Sequence, residues 1–116
     1  KLVTEYKEFR EKNNLEELQS LKIKIVGETH PLKTDGWIEG TKSLIEAKST
    51  SSRTSIRTGI GQLLDYRFQL KEQGFEIEDM YLLLPTKPRD NILALLKSLG
   101  IKLIYKSGKG FVDSGN

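Results

Sequence analysis

Apolar residues recur along this chain with two different periods, and the change between the periods separates helices from strands. Apolar positions three or four residues apart predict helices at residues 2–13, 53–73 and 89–99. Alternating or continuous apolar runs predict strands at residues 21–25, 35–39, 43–48, 79–84 and 101–105. The predicted order is therefore α-β-β-β-α-β-α-β, with residues 27–33 as a loop and residues 111–112 as a short edge strand.

Turn residues indicate how these elements are connected. Gly40, Thr41 and Lys42 predict a tight turn that makes a hairpin of the strands at 35–39 and 43–48. Residues 49–52 offer N-cap side chains for the long helix, and Gly74 is expected to end it. The unbroken apolar run at 79–84 is typical of a central strand with parallel neighbours.

Two glycines interrupt the long predicted helix, at Gly59 and Gly61. Each disfavours the helix by about 1 kcal/mol relative to alanine. We expect close packing of the helix on the sheet to explain them. The alternative explanation is room for the backbone of a substrate.

Composition narrows the classes of protein that fit. At 116 residues, 36% of them hydrophobic and 30% charged, the chain is expected to form one domain spanning residues 1–116. It begins with Lys rather than Met, so we expect a fragment of a longer protein. No apolar run approaches the ~20 residues of a membrane span, so no membrane association is predicted.

The residue types available also limit the metal chemistry. The absence of cysteine excludes disulfides and thiolate metal sites, and fits a reducing, cytoplasmic location. One histidine, His30, cannot form a multi-histidine zinc site. Any metal must then be held by oxygen, which favours Mg²⁺ or Mn²⁺. The net charge of +3 and the pI of about 9.1 suit a polyanionic partner without requiring one.

The candidate chemistry is concentrated between residues 34 and 68. Asp35 opens one predicted strand, and Glu46 and Lys48 end the next, on a common face because alternate residues of a strand share a face. Gln62 and Tyr66 lie four residues apart on the long helix and project from one side of it. Two acids, an amine and a polar helix face are what metal-assisted phosphodiester cleavage requires.

This pattern, with the stretch LIEAKSTSSRTSIRTGIGQLLDYRF, resembles the PD-(D/E)xK nuclease superfamily, in particular its RecB-like branch with Gln-x-x-x-Tyr. The resemblance covers residues 2–113. It implies a restriction-endonuclease-like αβββαβ core, with a mixed central sheet flanked by helices and a C-terminal α-β extension. It also implies that Asp35, Glu46 and the Ala47 carbonyl hold Mg²⁺ or Mn²⁺, and that the catalytic residues are Asp35, Glu46, Lys48, Gln62 and Tyr66.

The resemblance predicts a metal-dependent DNA endonuclease domain, the cleavage module of a bacterial restriction or defence protein. Its expected partners are DNA and further domains of the full-length chain, with a homodimer left open. The alternatives are a non-catalytic DNA-binding or assembly module on the same fold, and a junction-resolvase or repair nuclease. Each site residue also has a structural explanation, such as a turn cap for Asp35 and an ion pair between Glu46 and Lys48.

Other residues are weaker candidates. Arg53 and Arg57, four apart at the start of the long helix, are predicted to contact DNA phosphates, although surface arginines need no function. Glu5 or Glu8 would supply a further acid if the first helix reaches the metal, which the sequence leaves open. His30 is expected to be a surface residue.

Overall fold

The computed structural model describes residues 1–114. Its three helices are α1 (Leu2–Lys12), α2 (Arg53–Glu72) and α3 (Asp90–Ser98). Its seven strands are β1 (Lys22–Ile23), β2 (Leu32–Lys33), β3 (Gly36–Ile38), β4 (Ser43–Ala47), β5 (Asp79–Leu84), β6 (Ile101–Ser107) and β7 (Gly110–Asp113). Every predicted helix is present within two residues of its predicted ends, which confirms the α/β class.

Five strands form one mixed sheet in the order β3-β4-β5-β6-β7. The central strand β5 runs parallel to both β4 and β6, as its continuous apolar run predicts. The outer pairs β3–β4 and β6–β7 are antiparallel. The hairpin prediction and the edge strand predicted at residues 111–112 are therefore confirmed.

The two faces of the sheet pack against different helices because side chains alternate along each strand. In β4, Leu44 belongs to the core cluster that contains Ile56 and Leu63 of α2. Its neighbour Ile45 belongs to a second cluster, which contains Tyr6 of α1. Glu46 shares the face of Leu44, so its side chain lies on the α2 side.

Local signals at the ends of α2 act as the sequence predicts. Ser52 Oγ accepts a hydrogen bond from the Ser55 backbone N–H at 3.2 Å, so Ser52 is the N-cap. Beyond the C-cap, Gly74 adopts a φ of +93°, a left-handed conformation that favours glycine. Among residues 1–114, no helix has both the length and the apolar character needed to cross a membrane.

The prediction for residues 21–33 is wrong in its pairing. The strand predicted at 21–25 is reduced to β1, which lies outside the main sheet and pairs antiparallel with β2, inside the predicted loop. Gln19 instead occupies the free edge of β3, exchanging backbone hydrogen bonds of 2.7 and 2.9 Å with Trp37. Alternation along a strand indicates which side chains are exposed, but it carries no information about which strand will be its partner.

Candidate active site

The candidate site lies where β3 begins and β4 ends. Gly36 is paired with Ile45 in this antiparallel hairpin, so one further residue along each strand places Asp35 opposite Glu46. Directly opposed side chains project from the same face of a sheet. The backbone N–H of Ala47 donates a hydrogen bond of 2.8 Å to Asp35 Oδ2, which holds this carboxyl in place. The hairpin therefore brings the two predicted acids together.

Glu46 is an acid in a largely apolar position. The residue is only 4% exposed, and Lys48 Nζ lies 3.6 Å from its Oε2, an ion-pair distance longer than a hydrogen bond. The pKa of Glu46 is raised to about 8, chiefly by burial and next by the charge of Asp35, while Lys48 opposes both effects. The ammonium group of Lys48 thus offsets only part of the increase in the pKa of Glu46 that burial and Asp35 cause.

Lys48 reaches Glu46 along the surface of α2, over Gly59. A Cβ atom built on Gly59 would lie 3.3 Å from Lys48 Cγ and 2.6 Å from Leu82 Cδ1. Packing therefore explains Gly59, as we expected. Gly61 is different, because a Cβ atom there would have nothing within 4 Å, so packing does not explain it.

The two predicted helix residues face the same place. Tyr66 is 7% exposed and its pKa is raised, first by burial and then by the charge of Glu46, while a hydrogen bond with Gln62 opposes the shift. Gln62 lies one turn from Gly59, where an added Cβ would meet Lys48, and one turn from Tyr66. The helix thus places both polar side chains beside the acids and the amine.

Two oxygens at this site lack hydrogen-bond partners. Among residues 1–114, the buried side-chain nitrogen and oxygen atoms without a partner are Glu46 Oε1 and Gln62 Oε1. Buried polar atoms are normally satisfied, and leaving one unsatisfied costs about 1–3 kcal/mol. Gln62 Oε1 is an acceptor, and so is Glu46 Oε1 in the ionised carboxylate, so the site is suited to a donor or a cation.

The oxygens available for a metal are few. Within the described part of the chain, no group of three or more His, Cys, Asp or Glu side chains is placed to hold a metal ion. Asp35 and Glu46 supply two carboxylates, and the carbonyl of Ala47 follows Glu46 directly in the chain. Mg²⁺ is commonly held by one or two carboxylates, with water and substrate phosphate as its other ligands, so this donor set fits it.

The two predicted DNA-contacting arginines lie on the exposed first turns of α2. Arg53 donates a hydrogen bond of 2.5 Å to Asn91 Oδ1 at the start of α3, so its guanidinium is partly engaged within the protein. Arg57 is exposed. Both side chains lie at the surface, where a polyanion could reach them.

Three weaker candidates do not join the site. Glu5 forms a 3.0 Å salt bridge with Lys106 of β6, and Glu8 is exposed on α1, the helix that packs on the opposite face of the sheet from Glu46. His30 is exposed and hydrogen-bonded to Thr29, as expected for a surface residue.

Two lysines beside Asp35 were not singled out from the sequence. Lys7 of α1 and Lys33 of β2 line a groove of about 480 Å³ that Asp35 also lines. No spacing rule links positions 7 and 33, because only the tertiary fold brings α1 to this edge of the sheet.

Comparison of the chain with protein-family models, with curated proteins and with solved structures finds no match.

Proposed function

We propose that this chain is a metal-dependent DNA endonuclease domain with a restriction-endonuclease-like fold. Within the proposal, it is the cleavage module of a bacterial restriction or defence protein. The hairpin β3–β4, followed by the crossover through α2 to the parallel strand β5, supports the fold. The strand β1 departs from the expected core, because it lies outside the main sheet.

One observation carries the proposal. The two unpartnered buried acceptors among residues 1–114 belong to Glu46 and Gln62, two of the residues that the motif selects. They lie beside a second acid, Asp35, and a half-buried amine, Lys48. An arrangement needed only for stability would pair these groups with one another, since an unsatisfied buried acceptor is costly.

Asp35, Glu46 and the Ala47 carbonyl would hold a divalent cation. Such a cation would polarise the phosphate of the substrate and lower the pKa of a bound water. The two carboxyls lie close enough for the charge of Asp35 to raise the pKa of Glu46. A cation placed there would favour the ionised form of Glu46. The site therefore suits a divalent cation because of its two neighbouring acids, Asp35 and Glu46.

The remaining side chains act on the substrate directly. The ammonium of Lys48 can neutralise charge that develops on the phosphate. Tyr66 is protonated at neutral pH, as a phenol ordinarily is, so it can donate a hydrogen bond to a phosphate oxygen. Gln62 Oε1 can accept a hydrogen bond from the attacking water and orient it.

A non-catalytic DNA-binding module on the same fold is the second candidate. It is favoured by the small number of metal ligands, since no group of three acidic or imidazole side chains forms within residues 1–114. Salt-dependent binding of DNA without cleavage in any divalent metal would support this alternative.

The test is cleavage of supercoiled plasmid DNA in Mg²⁺ or Mn²⁺, with EDTA as the metal-free control. We expect nicking or linearisation by the wild-type protein and its loss in Asp35→Asn and Lys48→Met. Asp65→Asn is the matched control, because Asp65 is an exposed acid on α2. Retention of full activity by both site variants, or no cleavage by wild-type protein in either metal, would contradict the proposal.

A further inference from the structure

A lysine-bearing ribbon lies beside Asp35 of the candidate site. In the pair β1–β2, Lys22 lies directly opposite Lys33, and Ile23 lies opposite Leu32. The two apolar residues face the core, so the two lysines face outward and are exposed. Like charges directly opposite each other destabilise a strand pair, so the isolated ribbon is electrostatically unfavourable.

The outer side of this ribbon continues into the groove beside Asp35. Lys7 from α1 and Lys33 from β2 line the groove, together with Glu17 and Asp35. Lys7, Lys22 and Lys33 form no salt bridge or hydrogen bond through their side chains with the described residues. Their ammonium groups are therefore available to an external anion.

We infer that this groove and the adjoining ribbon bind the sugar–phosphate backbone of the nucleic acid, next to the phosphate that a cation at Asp35 and Glu46 would polarise, with Lys7, Lys22 and Lys33 pairing with its phosphates. The inference rests on the proposed nuclease function and adds the path of the substrate. A line of phosphates relieves the repulsion between Lys22 and Lys33. Lysine presents a point charge and reads no base edge, so the binding contributed by this surface is independent of sequence.

The experiment measures DNA binding separately from cleavage. Binding of a fluorescein-labelled duplex is followed by anisotropy in EDTA, over a series of NaCl concentrations. The double variant Lys7→Gln/Lys33→Gln is compared with Lys97→Gln/Lys109→Gln. The second pair lies on α3 and in the β6–β7 turn, away from the groove. Each pair removes two positive charges from a net charge of +3, so the two variants differ only in where the charge is lost.

We expect the groove variant to bind more weakly, with a slope of log K against log salt smaller by about 2, because each phosphate contact contributes about 0.9. Lys22→Gln alone should reduce the slope by about 1. The control pair should leave the slope unchanged. All five positions are exposed, and equal melting temperatures verify that the variants fold.

Two results would overturn the inference, and only the second would also overturn the proposed nuclease function. If the two double variants lose affinity equally while the wild-type protein cleaves DNA, the groove is not the binding path and the proposed function stands. If the wild-type protein neither binds nor cleaves DNA, the inference and the proposed function are both wrong.

Discussion

Gly59 offers the most direct test of how the site is assembled. An alanine Cβ at this position would lie 2.6 Å from Leu82 Cδ1, closer than real Cβ contacts, and 3.3 and 3.6 Å from Lys48 Cγ and Cε. Leu82 is fully buried, so its side chain has little room to move away. The substitution must therefore displace the stem of Lys48, the core around Leu82, or both.

The change in the free energy of unfolding caused by Gly59→Ala follows from two opposing effects. Alanine favours the helix by about 1 kcal/mol relative to glycine. Overpacking a core typically costs about 1–3 kcal/mol. Gly59→Ala should therefore lower the free energy of unfolding by up to about 2 kcal/mol. Gly61→Ala is the matched control in the same helix, because its Cβ meets nothing within 4 Å, and it should gain about 1 kcal/mol.

Urea unfolding of the three proteins measures the difference, with an unchanged m value as the sign that only stability has changed. The plasmid cleavage assay gives a second measurement, since displacement of Lys48 should reduce cleavage by Gly59→Ala. Gly61→Ala is expected to have a larger free energy of unfolding than the wild-type protein. Its cleavage activity shows whether the substrate passes close to that exposed position. Equal stabilisation by the two alanines would refute the packing argument.

Two further predictions concern stability alone. In EDTA, the free energy of unfolding should fall as the pH rises from about 4.5 to about 8, because the raised pKa of Glu46 makes the folded state bind more protons than the unfolded state across that range. Glu46→Gln should flatten this dependence in a pH series of urea titrations, and an unchanged slope would show that Glu46 is not the group responsible. Ser52→Ala should lower stability by about 1 kcal/mol through loss of the N-cap of α2, measured against Ser49→Ala, and equal stability of the two variants would count against the cap.

Local patterns were sufficient for most of the fold. The period of apolar residues depends on the geometry of a single helix or strand, so α1, α2, α3 and the central strand β5 could be predicted without knowledge of their neighbours. The approach of Asp35 to Glu46 could also be predicted, because a tight turn defines the partner of each strand residue in a hairpin.

Contacts between residues distant in sequence determine the remaining features. Gln19, and not the strand β1, pairs with the edge of β3, and no local pattern selects between the two. The burial that raises the pKa of Glu46 comes from α2 packing over it. The groove at Asp35 combines Lys7 and Lys33, which only the docking of α1 brings together. The periodicity of the sequence indicates the direction in which a side chain points. The surroundings of that side chain depend on contacts with elements that are far away in the sequence.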